Sequence, residues 1–247
     1  MSKWNFKIVL AGDGAVGKTS IRERYMGKGF SASYLKTIGA DFASKKIEID
    51  DDQITFQIWD LAGQDSYQAV RKTFYKGAIA GLMVFDCQDP KTLTNLKSWM
   101  DEAIKGSDNS MLVYFVIANK IDLVDERKVS REMALELCNR LATETGIRFY
   151  YCETSALTGQ NIKETFEYLS FKLLEANNAK DLVMPDLPDG IIDIKETQIP
   201  KVPTVVKSEE FASKDEFDQL LVRIENIEKK LNAVQTIMKK LVEKIQE

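Results

Sequence analysis

Residues 12–19 read Gly-Asp-Gly-Ala-Val-Gly-Lys-Thr, directly after the apolar run Phe6–Ala11. The spacing G-x-x-x-x-G-K-[ST] leaves few options for what surrounds it. A loop that wraps a diphosphate presents successive backbone N–H groups, so it needs residues that tolerate positive φ and close approach. The helix that follows adds the positive end of its dipole. Lys18 then stands at the β- and γ-phosphates and the Thr19 hydroxyl faces Mg²⁺. Gly14, Ala15, Val16, Gly17, Lys18, Thr19 and Ser20 together form the cradle. Such a loop belongs between a buried strand and a helix.

The remaining pattern supplies that setting. Ile54, Phe56 and Ile58 alternate with Thr55 and Gln57, so Ile54–Trp59 pairs with Ile47–Ile49 as a half-buried hairpin across Asp50–Asp52. Leu82–Phe85 and Leu112–Ile117 are near-continuous apolar runs, the mark of central parallel strands covered on both faces. Phe149–Cys152 is a last strand. Helical patterns fall around 92–105, 130–144 and 161–174. This alternation predicts an α/β fold with a doubly wound, mostly parallel, six-stranded sheet. Sheets of that kind bind ligands beyond the C-terminal ends of their strands.

Four of the five prolines (Pro185, Pro188, Pro200, Pro203) lie between 177 and 212. We therefore expect a globular domain at 1–176, a linker at 177–212 and a helix at 213–247. In the linker, the apolar pieces Ile191–Ile194 and Val202–Val206 either dock on the domain or serve as partner motifs.

Several chemistries are excluded. The 247 residues contain no histidine, which removes Ser-His and Cys-His catalysis and His-ligated zinc. A net charge of -4 argues against a general nucleic-acid binder. No apolar run approaches the ~18 residues of a membrane span. The start, MSKWNFKIVL, has no signal-peptide core, and Ser2 in place of glycine excludes myristoylation. Cys87, Cys138 and Cys152 are scattered through apolar stretches and read as reduced, buried thiols. A cytoplasmic chain is expected.

Three further segments follow strands. In Trp59-Asp60-Leu61-Ala62-Gly63-Gln64, Asp60 can hold Mg²⁺ through water, Gly63 can offer its N–H to a γ-phosphate, and Gln64 can orient an attacking water. In Asn119-Lys120-Ile121-Asp122, the Asp122 carboxylate can accept from guanine N1–H and the exocyclic amine, a pattern adenine lacks. Lys120 can lay its stem along the base and Asn119 can tie the loop. In Ser155-Ala156-Leu157, the Ala156 N–H can reach guanine O6.

These motifs, in this order, resemble the small GTPases of the Ras superfamily over about residues 3–175, and within them the Rab branch. Ile38-Gly-Ala-Asp-Phe42 is similar to the Rab pattern IGVDF, and Gln57–Gln64 to QIWDTAGQ. The resemblance implies GTP binding with Mg²⁺ as cofactor and slow hydrolysis to GDP. Gln64 and Lys18 would be catalytic; Thr19, Thr37 and Asp60 would serve the metal. It also implies that Phe30 packs on the base, Tyr34 covers the phosphates, and any side chain at Gly14 would crowd the transition state. No arginine is an obvious finger within the chain. Effector, exchange-factor and activating proteins would bind the switch regions, with Phe42, Trp59 and Tyr75 either on that surface or in the core. Leu61, Asp65-Ser-Tyr67 and Cys87-Gln-Asp89 depart from the family pattern and bear on partner identity.

The tail differs from a Rab tail. No cysteine follows Cys152, so prenylation is excluded, and 177–247 carries 11 basic against 14 acidic residues, which disfavours anionic lipid. Instead, Phe217, Ile224, Leu231, Met238 and Ile245 repeat at heptad position a, with Leu220, Ile227, Val234 and Leu241 at d. Ser213-Lys-Asp-Glu216 is a capping box. The pattern predicts a coiled-coil helix over Phe217–Ile245. Self-association, a partner's helix and folding back on the domain stay open, and any membrane recruitment would come through a partner. A second reading of the whole chain is a coiled-coil scaffold with a structural guanine nucleotide.

Overall fold

The computed structural model describes residues 2–30 and 37–194. Tyr34, Val202–Val206 and the expected helix at 213–247 lie outside them. The strands are β1 (Ser2–Ala11), β2 (Ala40–Ile49), β3 (Asp52–Leu61), β4 (Ala80–Asp86), β5 (Val113–Asn119), β6 (Arg148–Glu153) and β7 (Ile191–Asp193). The helices are α1 (Lys18–Tyr25), α2 (Gln68–Tyr75), α3 (Pro90–Thr94), α4 (Leu96–Gly106), α5 (Arg131–Thr145) and α6 (Ile162–Ala176). One sheet runs β2-β3-β1-β4-β5-β6-β7. Its inner strands are parallel, while β2 and β7 close the two edges antiparallel.

Strand periodicity divides the core into two layers. Ile8, Leu10, Leu82, Val84, Phe115 and Ile117 face one way, against Ile21 and Tyr25 of α1 and Phe166, Leu169 and Leu173 of α6. Val9, Met83, Phe85, Tyr114 and Val116 face the other way, against α2, α4 and α5. Being covered on both sides, β4 and β5 are buried at every position. Cys152 lies in the first layer and Cys138 in the second, and all three cysteines are free and buried. Among the described residues, no helix is long and apolar enough to cross a membrane.

Two expectations are corrected. Among the described residues the sheet has seven strands, not six, because residues after 176 return to it. Ile191 and Ile194 insert into opposite core layers, Asp193 pairs with Arg148 at 2.6 Å, and β7 covers the free edge of β6. A linker beginning at 177 therefore starts too early. The helix expected over 92–105 is two: α3, capped by Asp89, which accepts from the Lys91 N–H, and α4. They meet at Asn95, whose amide donates to Asp13 Oδ2 at 2.7 Å.

Candidate functional site

β1 pairs with β3 on one side and β4 on the other, so the loops leaving β1 and β4 diverge and open a crevice at the strand ends. Residues 12–17 sit in it. Gly17, at φ 98°, caps α1, and a Cβ there would come within 2.2 Å of Asn119 Nδ2. The loop therefore needs glycine both for its turn and for its neighbour. Ala15 also adopts positive φ, at 64°.

A cavity of about 860 Å³ opens above the loop. Its walls include Gly14, Ala15, Gly17, Lys18, Thr19, Ser20, Phe30, Thr37, Gly63, Gln64, Asn119, Lys120, Asp122, Ala156 and Leu157. Val16, Asp60 and Ser155 stand behind the wall. The Val16 side chain is core, while its carbonyl accepts from Asn119 Nδ2 at 2.8 Å.

At one end of the cavity three oxygens converge. Thr19 Oγ1 donates to Asp60 Oδ2 at 2.5 Å and lies 3.0 Å from Thr37 Oγ1. Asp60 is fully buried, and among the described residues its Oδ1 has no hydrogen-bond partner. Burial raises its carboxyl above the usual range, against the Thr19 hydrogen bond and the Lys18 charge. Lys18 Nζ donates to the carbonyls of Gly12 (2.7 Å) and Asp13 (2.6 Å). Burial lowers this ammonium to about 8, opposed by the Asp60 and Asp13 charges. Gly63 crosses the loop so closely that a Cβ would meet the Asp13 carbonyl carbon and Gly14 N at 2.4 Å. The Gln64 Oε1 is buried and has no hydrogen-bond partner among the described residues.

At the other end, Asn119 joins three segments: besides Val16, its Oδ1 accepts from Thr154 Oγ1 and Ala156 N, both at 3.2 Å. Asp122 Oδ1 accepts from Ser155 Oγ at 2.5 Å. Lys120, held at φ 68°, reaches Asp86 at 2.5 Å. Below this loop the Cys87 thiol donates to the Lys120 carbonyl at 3.2 Å. Glu153 binds Arg127 at 2.6 Å and Arg131 at 2.5 Å. Burial works against its charge, but the hydrogen bonds from Arg131, Arg127 and Tyr151 prevail and hold it at about 2.

A model of the Ras family matches residues 7–175. The chain is 39% identical to the Ras-related protein Rab7 of Drosophila melanogaster over 188 residues, 75% of this chain and 87% of the relative. It is 36% identical to the Ras-related protein RABG3f of Arabidopsis thaliana, covering 74% and 89%. It is 37% identical to the Ypt/Rab-type GTPase ypt7 of Pyricularia oryzae, covering 71% and 85%.

The chain belongs to the Ras family. Within it the chain is a Rab-type small GTPase, a GTP-binding switch that hydrolyses GTP. Tyr75, offered as an aromatic of the Rab surface or of the core, is core: it is fully buried. Its neighbour Phe74 is half-buried, its ring 5.2 Å from Trp59, which lies 5.1 Å from the exposed Phe42. Residues the motifs did not point to also frame the site. Asp13, Asp86, Trp99, Arg71 and Glu102 sit at or behind its loops, and only Asp13 lies within a recognisable motif.

Proposed function

We propose that this Rab-type GTPase binds GTP with Mg²⁺ in the 860 Å³ cavity and exchanges two states of its switch segments. The convergence of Thr19, Thr37 and the unpartnered Asp60 oxygen carries this reading. Among the described residues no cluster of His, Cys, Asp or Glu could hold a metal. Hydroxyls and one carboxylate fit a cation whose remaining oxygens come from phosphate and water. Thr19, Thr37 and Asp60 would hold Mg²⁺, which neutralises phosphate charge when bound.

Lys18, in a dry site, balances the phosphates. Gln64, with its amide oxygen unspent, orients the attacking water. Asp122 accepts from guanine while Ser155 steadies it, and Ala156 and Leu157 complete the base pocket with Phe30 and Lys120. Thr37 and Gly63 respond to the γ-phosphate, which is how such segments order and release. Arg22 lies on the cavity wall but is committed to Asp41 at 2.7 Å. Hydrolysis is then slow alone, and an arginine from an activating protein would add about 10³–10⁵-fold. Exchange factors and effectors would engage the switch face through Phe42, Trp59 and Phe74. The C-terminal heptads would join copies of the chain or a partner's helix, in the cytoplasm or wherever a partner recruits it.

Single-turnover hydrolysis of GTP against ATP, with Mg²⁺, tests the reading. GTP-only turnover that Gln64→Leu slows to a residual rate supports it. Nucleotide binding without turnover, the same in Gln64→Leu, would refute it and favour a structural nucleotide.

A further inference from the structure

Arg71 is a charged residue at a core position, 2% exposed. Its guanidinium is used on every side. Nε and Nη2 donate to the two Glu102 oxygens at 2.7 and 2.9 Å. Nη1 donates to the Gln64 carbonyl at 2.6 Å and the Ala62 carbonyl at 3.1 Å. Its flat face lies 4.2 Å from the centre of the Trp99 ring. Only a planar fork can meet these partners together; a lysine ammonium cannot.

Glu102 and Trp99 belong to α4, and Asn95 stands at its start. Asn95, Trp99 and Glu102 are spaced i, i+4, i+7 and so share one face. Each ends on the site's machinery. Asn95 and Trp99 Nε1 each donate to one oxygen of Asp13 at 2.7 Å, in the loop whose carbonyl holds Lys18. Glu102 reaches the segment after β3 through Arg71. The two carbonyls Arg71 grips, those of Ala62 and Gln64 itself, bracket the Gly63–Gln64 step.

We propose that Arg71, anchored by Glu102 and Trp99, is a positioning residue for hydrolysis. It fixes the peptide units Ala62–Gly63 and Gln64–Asp65, which bracket Gly63 and Gln64, relative to the phosphate loop, and thereby fixes where the Gln64 side chain points. A buried ion pair of this kind is weak evidence for stability alone, and its donors are spent on the backbone of the segment that carries Gln64. The proposal rests on the reading that Gln64 orients the hydrolytic water.

The test uses full-length protein and Mg²⁺, with single-turnover GTP hydrolysis and GDP affinity measured side by side. Glu102→Gln keeps the shape of the anchor but drops its charge, and Arg71→Lys keeps the charge but drops the fork. Each should slow hydrolysis about 10- to 100-fold, the scale of a small misplacement of a catalytic group, with GDP affinity held within about twofold. In the Gln64→Leu background Glu102→Gln should cause no further loss, because the group it positions is gone. Unchanged hydrolysis in both variants, an equal slowing in the Gln64→Leu background, or affinity lost in parallel would each overturn the proposal. Wild-type turnover by Gln64→Leu itself would refute the reading of Gln64, a failure distinct from that of the clamp. If Arg71→Lys does not fold, the isosteric Glu102→Gln carries the test.

Discussion

Lys18 sits where burial and function pull against each other. Burial lowers its ammonium to about 8, so without an anion beside it the group is charged below that pH and neutral above. Bound phosphate requires the charge, and above pH 8 binding must take up a proton. GDP affinity should therefore be level between about pH 6.5 and 7.5 and fall by up to about tenfold per unit above 8, as a titration series would show. Glu153 has the opposite sign. Its folded value of about 2 lies below the ordinary 4.5, so it stabilises the fold above 4.5 and loses that contribution as pH falls through 2. Glu153→Gln should lower the Tm at pH 7, with the gap to wild type narrowing as the pH falls from about 4.5 towards 2. Such residues mark the limit of sequence reading. Lys18, Asp60, Asn119 and Asp122 were legible because each lies in a fixed spacing after a strand. Glu153, Asp86 and Arg71 were not, because their roles come from partners 22 to 34 residues away, and no local pattern encodes those distances.

At the scale of elements, the parallel strands and the hairpin could be read from periodicity, because their two-sided or one-sided burial writes itself into the residue pattern. Helix α2 could not. It has only eight residues, shorter than the window of about 11–18 over which a helical period can be read. Strand β7 was missed for another reason. Three residues flanked by prolines give no periodicity, and their burial comes from tertiary packing at the edge of β6. The prediction here concerns that edge. Ile191 is 4% exposed, and Ile191→Ala should cost about 2–4 kcal/mol, seen as a lower Tm with unchanged GDP affinity. Gly63→Ala should act the other way round. Its Cβ would strike backbone at 2.4 Å, so nucleotide affinity and hydrolysis should fall, with a smaller change in Tm.

For the whole molecule, β7 moves the end of the folding unit. A chain stopped after residue 194 should melt like the full-length protein's globular part, whereas one stopped after 176 should melt lower, since it loses Ile191, Ile194 and the Asp193–Arg148 pair. Light scattering of full-length protein against the 194-residue chain tests the heptads: a monomeric full-length protein would sink self-association.

The buried cysteines give the molecule a set of internal clocks. Burial pushes the Cys138 thiol up to about 12 and raises Cys152 as well, so neither reacts while its layer is closed. Cys138 times the opening of one face of the sheet and Cys152 the other. Cys87, bonded to the Lys120 carbonyl, times the loop that holds the base. Alkylation with and without GDP would then separate breathing at the nucleotide from unfolding of the core: a Cys87 rate that slows far more than the other two would locate the ligand's grip in the loop alone.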